Sequence, residues 1–140
     1  DPRRPGQPVT VIIDATVAFA LLIPDDPAAD WAAEVHARHD LAAPHLLPSE
    51  VASALRRAVW SDGLSADLAT SAHYDLTDLA VELFPYEPFA ERVWALRENL
   101  TPYDAWYVAL AEALDAPLAT LDDRLVQAPG PRCRFLTPAA

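Results

Sequence analysis

Residues 9–17 read VTVIIDATV, and the fold turns on them. Five β-branched residues run without polar alternation into Asp14, and a helix-forming run follows over 15–23, stopped by Pro24. A run of this kind is the signature of a parallel strand covered on both faces. In an open parallel sheet, ligands bind beyond the carboxyl ends of the strands. An acid at that point of the chain therefore stands where a ligand would.

The rest of the chain repeats the alternation. Residues 25–27, DDP, form a turn, and Pro27 is suited to begin the next helix, whose stripe is Ala28, Trp31, Ala32 and Val35. Residues 41–43 are a second predicted strand. Ser49 is the expected cap of a helix carrying Val51, Ala52, Leu55 and Val59, which closes near Gly63. A further helix is expected from Ser65 to about Val81, then a third strand at 82–84. Phe89, Val93, Leu96 and Leu100 mark the next helix. Thr101 and Pro102 open a stronger one, with Tyr103, Trp106, Tyr107, Leu110 and Leu114 on one stripe and Trp106 expected as partly buried core. Residues 117–120 and 132–137 are the fourth and fifth predicted strands. Strands alternating with helices predict an α/β fold with a mostly parallel five-stranded sheet and helices on both faces.

Composition bounds what such a domain can do. With 140 residues, 52% of them hydrophobic, the chain has enough material for one core. All ten basic residues are Arg, and the net charge is −11. Long-range attraction to a nucleic-acid duplex is excluded on that balance. Local contact with RNA needs a cation or an arginine cluster to reverse the field. Cys133 stands alone, so no internal disulfide is expected, which suits a reducing compartment and a cytoplasmic location. The longest apolar run, 15–23, is far shorter than the ~20 residues of a membrane span. Residues 1–8, DPRRPGQP, read as a disordered arm or a remnant of cloning, and 9–140 as one domain.

Four acids fall at predicted element junctions: Asp14 after the first strand, Glu50 and Asp104 at helix starts, and Asp122 after the fourth strand. Each has an ordinary structural use. Asp14 suits a helix cap, Glu50 complements a helix dipole, and Thr101 with Asp104 and Thr120 with Asp123 both have capping-box spacing. Collectively they point elsewhere. Carboxylates ~4 Å apart repel by about 4 kcal/mol per pair at an effective dielectric of 20. A fold keeps such a cluster when protons or a cation neutralise it. Oxygen ligands without His or Cys select a hard ion, Mg²⁺ or Mn²⁺. None of His36, His39, His45 and His73 falls beside these acids in sequence.

Four segments in this order, VTVIIDATV, LLPSEVASAL, LTPYDAWYVALAEAL and PLATLDDRL, resemble a PIN domain, and most closely the VapC toxins of prokaryotic toxin–antitoxin pairs. The resemblance covers residues 9–137. It implies an α/β/α sandwich and a metal-dependent endoribonuclease, inhibiting translation and growth, whose catalytic and metal-binding acids are Asp14, Glu50, Asp104 and Asp122. It implies that Thr120 offers its hydroxyl beside a Mg²⁺ site. The last segment carries two adjacent acids, and Asp122 is favoured over Asp123 because the family's acid sits two residues after the Thr. Asp123 is then the cap partner of Thr120. The resemblance also implies a VapB-like antitoxin whose tail places a basic residue in the acidic site, an RNA substrate and a homodimer.

Arg124 and Arg56 are the candidate phosphate contacts; for Arg57, an ordinary solvated role is expected. Trp31, Trp60 and Trp94 lie on predicted helices and are candidates for an interface or for partly buried core. A haloacid-dehalogenase-type phosphatase needs a second Asp where Thr16 stands, and a phospho-receiver domain needs a Lys, which the chain lacks. A non-catalytic PIN-like binding module that keeps the acids as a structural metal site is the alternative.

Overall fold

The computed structural model describes residues 9–139, so the expected N-terminal arm lies outside the described residues. Strands β1 (Val9–Ile13), β2 (His39–Pro44), β3 (Val81–Phe84), β4 (Leu118–Ala119) and β5 (Phe135–Leu136) form one sheet in the order β3-β2-β1-β4-β5. Every pairing is parallel. The helices are α1 (Ala15–Leu22), α2 (Ala29–Arg38), α3 (Leu47–Ser61), α4 (Ala66–Asp78), α5 (Ala90–Ala95), α6 (Pro102–Leu114) and α7 (Asp123–Gln127), with a 3₁₀ turn at Glu87–Phe89.

The strand order explains the layers. From β1 the chain steps outward through α1 and α2 to β2, then through α3 and α4 to β3. It returns past both strands through α5 and α6 to β4. Right-handed crossovers in opposite directions put these two helix groups on opposite faces. Accordingly α1 packs on α2 and α3, and α3 on α4, whereas α5 packs on α6. Helix α6 lies along β1, β2 and β4. Val11, Ile12 and Ile13 are fully buried between the layers.

Several boundaries move from those read in the sequence. Strand β2 is longer than expected at both ends: His39 and Asp40 pair with Val9 and Thr10, and Pro44 keeps its place in the ladder opposite Phe84. Helix α4 ends at Asp78, and β3 begins at Val81. Strand β5 shrinks to two residues. Ser49 is not a cap: α3 starts at Leu47 with Pro48 in its first turn, which places Ser49 inside the helix and Glu50 just behind it. Ser65 and Thr101 do cap, their hydroxyls accepting the amides of Leu68 and Asp104. Gly63 takes φ +75° after α3, a left-handed turn that suits glycine.

The stripe expected on α6 is also redrawn. Tyr107 and Leu110 are buried, but Tyr103 is 60% exposed and Leu114 lies at the surface. Ala105, Val108, Ala109 and Ala111 are buried as well, so α6 is enclosed on nearly all sides. Its alanines allow close approach to the sheet. Trp106 is partly buried and packs against the core, as expected, and meets Tyr86 edge to face. Trp31 is half-buried, while Trp60 and Trp94 stand out in solvent.

Candidate active site

The strand order reverses at β1 and β4. One chain continuation leaves β1 toward β2 and the other leaves β4 toward β5. The crevice beyond their carboxyl ends is where such sheets bind ligands. A cleft of about 620 Å³ opens there. Asp14, Glu50, Asp104 and Asp122 all line it. Four acids spread over 109 positions of sequence thus share one hollow, each brought there by a different junction. Asp14 follows β1 and Asp122 follows β4. Glu50 and Asp104 sit in the first turns of α3 and α6, helices that run back from this edge.

Asp14 is both a cap and a member of the cluster. Its Oδ1 accepts the amides of Thr16 (3.0 Å) and Val17 (3.2 Å) and the Thr16 hydroxyl (2.5 Å). Its Oδ2 accepts the hydroxyl of Thr120 (2.5 Å), leaving that oxygen with capacity for a further partner. The two threonines are held in turn by the loop after β4. Leu121 donates its amide to the Thr16 hydroxyl (3.0 Å), and Asp122 donates its amide to that of Thr120 (3.0 Å). Two hydroxyls thereby join the β1 corner to the β4 corner and fix the first acid against the fourth. Thr120 is fully buried.

This network replaces the expected Thr120–Asp123 capping box. Asp122 itself caps α7, accepting the amide of Arg124 (3.0 Å), and Thr120 reaches back to Asp14. Asp123 is exposed and absent from the cleft lining, so it is Asp122 that faces the other acids.

The remaining carboxylates are less constrained. Glu50 accepts the phenol of Tyr107 at 2.7 Å. Burial raises the carboxyls of Asp14, Glu50 and Asp104 above their ordinary values. Neighbouring charge adds to this for two of them: Asp104 and Asp14 act on Glu50, and Asp122 acts on Asp104. Tyr107 and Arg57 oppose the shift at Glu50, and Arg124 opposes it at Asp104. Asp26 and Asp62 add further acid to the lining. The cleft therefore holds more negative charge than its two arginines balance.

The arginines differ from expectation. Arg124 lines the cleft, with its guanidinium 3.6 Å from Asp122 and its side chain almost wholly in solvent. Arg56 does not. It lies over the ring of Trp60 at 3.7 Å, on a separate surface hollow with Val59 and His73. Arg57 takes the place expected of Arg56, lining the cleft and donating to the Ser53 hydroxyl at 3.0 Å. Helical spacing carried this signal: Glu50, Ser53 and Arg57 fall at i, i+3 and i+7, on one face. Tyr107 was legible in the same way, one turn beyond Asp104.

The donor set fits a hard divalent cation by its chemistry, being all oxygen and under-neutralised. Among the described residues, no three His, Cys, Asp or Glu side chains stand close enough to hold an ion as they are placed. A second hollow, about 690 Å³, lies at the amino ends of β1, β2 and β3. Thr10, His36, His39, Asp40 and Glu82 line it, and none of the four acids reaches it.

Residues 11–131 match the family model for the PIN domain. Ribonuclease VapC1 of Mycobacterium tuberculosis is 53% identical over 94 residues, covering 66% of this chain and 71% of that protein. Among solved structures, M. tuberculosis VapC20, described as a sarcin–ricin loop cleaving toxin, superposes with a TM-score of 0.64 at 14% identity. That match covers 83% of this chain and 92% of the other. VapBC-5 of M. tuberculosis, described as a member of the VapBC family of toxin–antitoxin systems, gives 0.51 at 19% identity, covering 93% and 98%.

Proposed function

The chain belongs to the PIN domain family, among its VapC ribonucleases, and from that premise we propose that it cleaves RNA as the toxin of a toxin–antitoxin pair. The observation that carries the reading is the meeting of Asp14, Glu50, Asp104 and Asp122 in one cleft at the switch point of the sheet.

In this reading Asp14, Asp104, Asp122 and Glu50 hold Mg²⁺, with Mn²⁺ able to substitute. When bound, the ion lowers the pKa of a water and offsets the charge that builds on the phosphate. The chain's own groups do the rest. Asp14, fixed by Thr16 and Thr120, offers Oδ2 as a pre-set ligand atom. Glu50 and Asp104, both half-buried, orient the attacking water. Arg57 and Arg124 supply the positive charge that an RNA backbone needs in an acidic cleft.

Incubating the purified protein with RNA and Mg²⁺ tests this. Cleavage should stop in EDTA and return when Mn²⁺ is supplied in excess. Cleavage that continues in EDTA would overturn the metal-dependent reading. Absence of any cleavage across a panel of transfer, ribosomal and messenger RNA would favour the non-catalytic binding module.

The arginines give a second expected result. Arg57→Ala should raise KM for RNA about tenfold, as losing one charged hydrogen bond of about 1.5 kcal/mol would. Arg56→Ala, on a residue stacked on Trp60 away from the acids, should leave KM within twofold. Equal effects from the two would remove Arg57 from the substrate path.

An antitoxin completes the reading. An acidic cleft on an acidic protein favours an inhibitory segment with a basic residue. A homodimer and a cytoplasmic site of action belong to the same proposal. No helix among the described residues is long and apolar enough to cross a membrane.

A further inference from the structure

Tyr107 is a buried polar group in the cleft to which the metal-and-arginine scheme gives no role. It projects from α6 one turn beyond Asp104, is 2% exposed, and donates its phenol to Glu50 of α3. That bond, at 2.7 Å, is the only hydrogen bond to the Glu50 side chain among the described residues. It spans 57 positions of sequence and ties the first turn of α3 to α6 across the cleft. A buried phenol paired with a half-buried carboxylate is a costly way to join two helices. Replacing both partners of such a bond by apolar groups of the same shape can be nearly neutral or stabilising. A pair kept in a cleft is better explained by what it does to the carboxylate.

We infer that Tyr107 is a positioning residue: it holds Glu50 by Oε1 and so presents Oε2 to the same cleft that Asp104, on Tyr107's own helix, lines. Helix α6 then contributes one carboxylate directly and fixes a second borrowed from α3. Asp14 reaches the same end through its threonines and backbone amides. Glu50, with one partner, depends on the phenol alone. The inference rests on the divalent-ion reading above and names a residue for it.

Mn²⁺ binding, measured by calorimetry on the wild type, Tyr107→Phe, Glu50→Ala and the double variant, tests this. Tyr107→Phe removes one oxygen and keeps the ring that fills the core. Its melting temperature in EDTA is measured alongside, to show that it is folded. Mn²⁺ affinity should fall about tenfold in Tyr107→Phe, and the double variant should bind no more weakly than Glu50→Ala. Losses confined to a shared pathway are non-additive in this way. With RNA, kcat should fall and KM stay within twofold. Wild-type affinity in Tyr107→Phe, or losses that simply add, would overturn the inference while leaving the ribonuclease reading intact. A wild-type protein that takes up no Mn²⁺ would overturn the inference together with the divalent-ion reading on which it rests.

Discussion

Asp14→Asn should cut RNA cleavage by roughly 10²- to 10³-fold while the variant stays folded. The expected loss is of the size that follows removal of one preorganised electrostatic group. The expected survival of the fold comes from three features of the site. Asn caps helices as well as Asp does, so the amides of Thr16 and Val17 keep an acceptor. The hydroxyl of Thr120 can accept from an amide where it now donates to Oδ2. Asp14 is also buried with its carboxyl pushed upward by that burial, so the neutral side chain removes an electrostatic penalty. Melting of the variant in EDTA at neutral pH should therefore occur at or above the wild-type temperature. A folded variant that still cleaves would remove Asp14 from the chemistry. One that melts well below wild type would mean that its main service is structural.

A second large effect is expected from pH and divalent ions together. Asp14, Glu50 and Asp104 have folded-state pKa values raised above their ordinary 3.8, 4.5 and 3.8. In the window above those ordinary values, the folded chain binds more protons than the unfolded one, so stability falls as pH rises. The contribution of the three is best preserved on the acid side and lost as pH climbs through the raised values. Glu112 has the opposite sign. Its carboxyl lies below the ordinary 4.5 because Arg92 and the amide of Arg132 bond to it. What it contributes is present above about 4.5 and is lost as pH falls through its lowered value.

Metal-free protein should therefore melt at a lower temperature as pH rises above the ordinary carboxylate range, and Asp14→Asn should flatten that slope. Mn²⁺ at 100 times its Kd should add about 2.7 kcal/mol at pH 7.5. For a chain of this size that is a shift of roughly 10 °C. Scanning calorimetry with and without EDTA would measure both. A wild-type slope of the opposite sign, unchanged in Asp14→Asn, would show that the cluster does not govern this dependence. An unmoved melting temperature in saturating Mn²⁺ would count against a metal site.

How far the site could be read from sequence depended on the kind of signal each residue gave. Asp14 and Asp122 were legible because a strand-end acid is a local pattern, and parallel topology gathers strand ends on one edge. Glu50 and Asp104 followed from helix starts, even though Ser49 was misread as the cap. Pro48 tolerates the first turn of a helix, so the true start lay two residues upstream of the polar residue that looked like a cap. The hydroxyl network was not legible. Thr16 and Thr120 are 104 positions apart, and their pairing through Asp14 depends on the β1–β4 register. The exchange of Arg56 for Arg57 turns on a rotation of one residue about α3, which Trp60 resolves by stacking on Arg56. Tyr107 was rightly placed on a buried stripe, but its spacing from Asp104 was not used to read its bond to Glu50. An apolar stripe does not reveal that one of its members ends in a hydroxyl with a partner.

The two margins of the sheet, β3 and β5, have a bearing on how the chain behaves at high concentration. Margins with unpaired backbone groups invite another chain to add on, which seeds fibrils and precipitates. Here β5 offers two residues, with Pro138 close behind it. On the other side β3 offers four, with the exposed charge of Glu82 among them and Pro85 directly after. Neither presents a long, flat, greasy template, and a net charge of −11 sets like molecules against one another. A fold that keeps its most hydrophobic strand, β1, in the middle and leaves only short strands at its rims has low aggregation propensity built in.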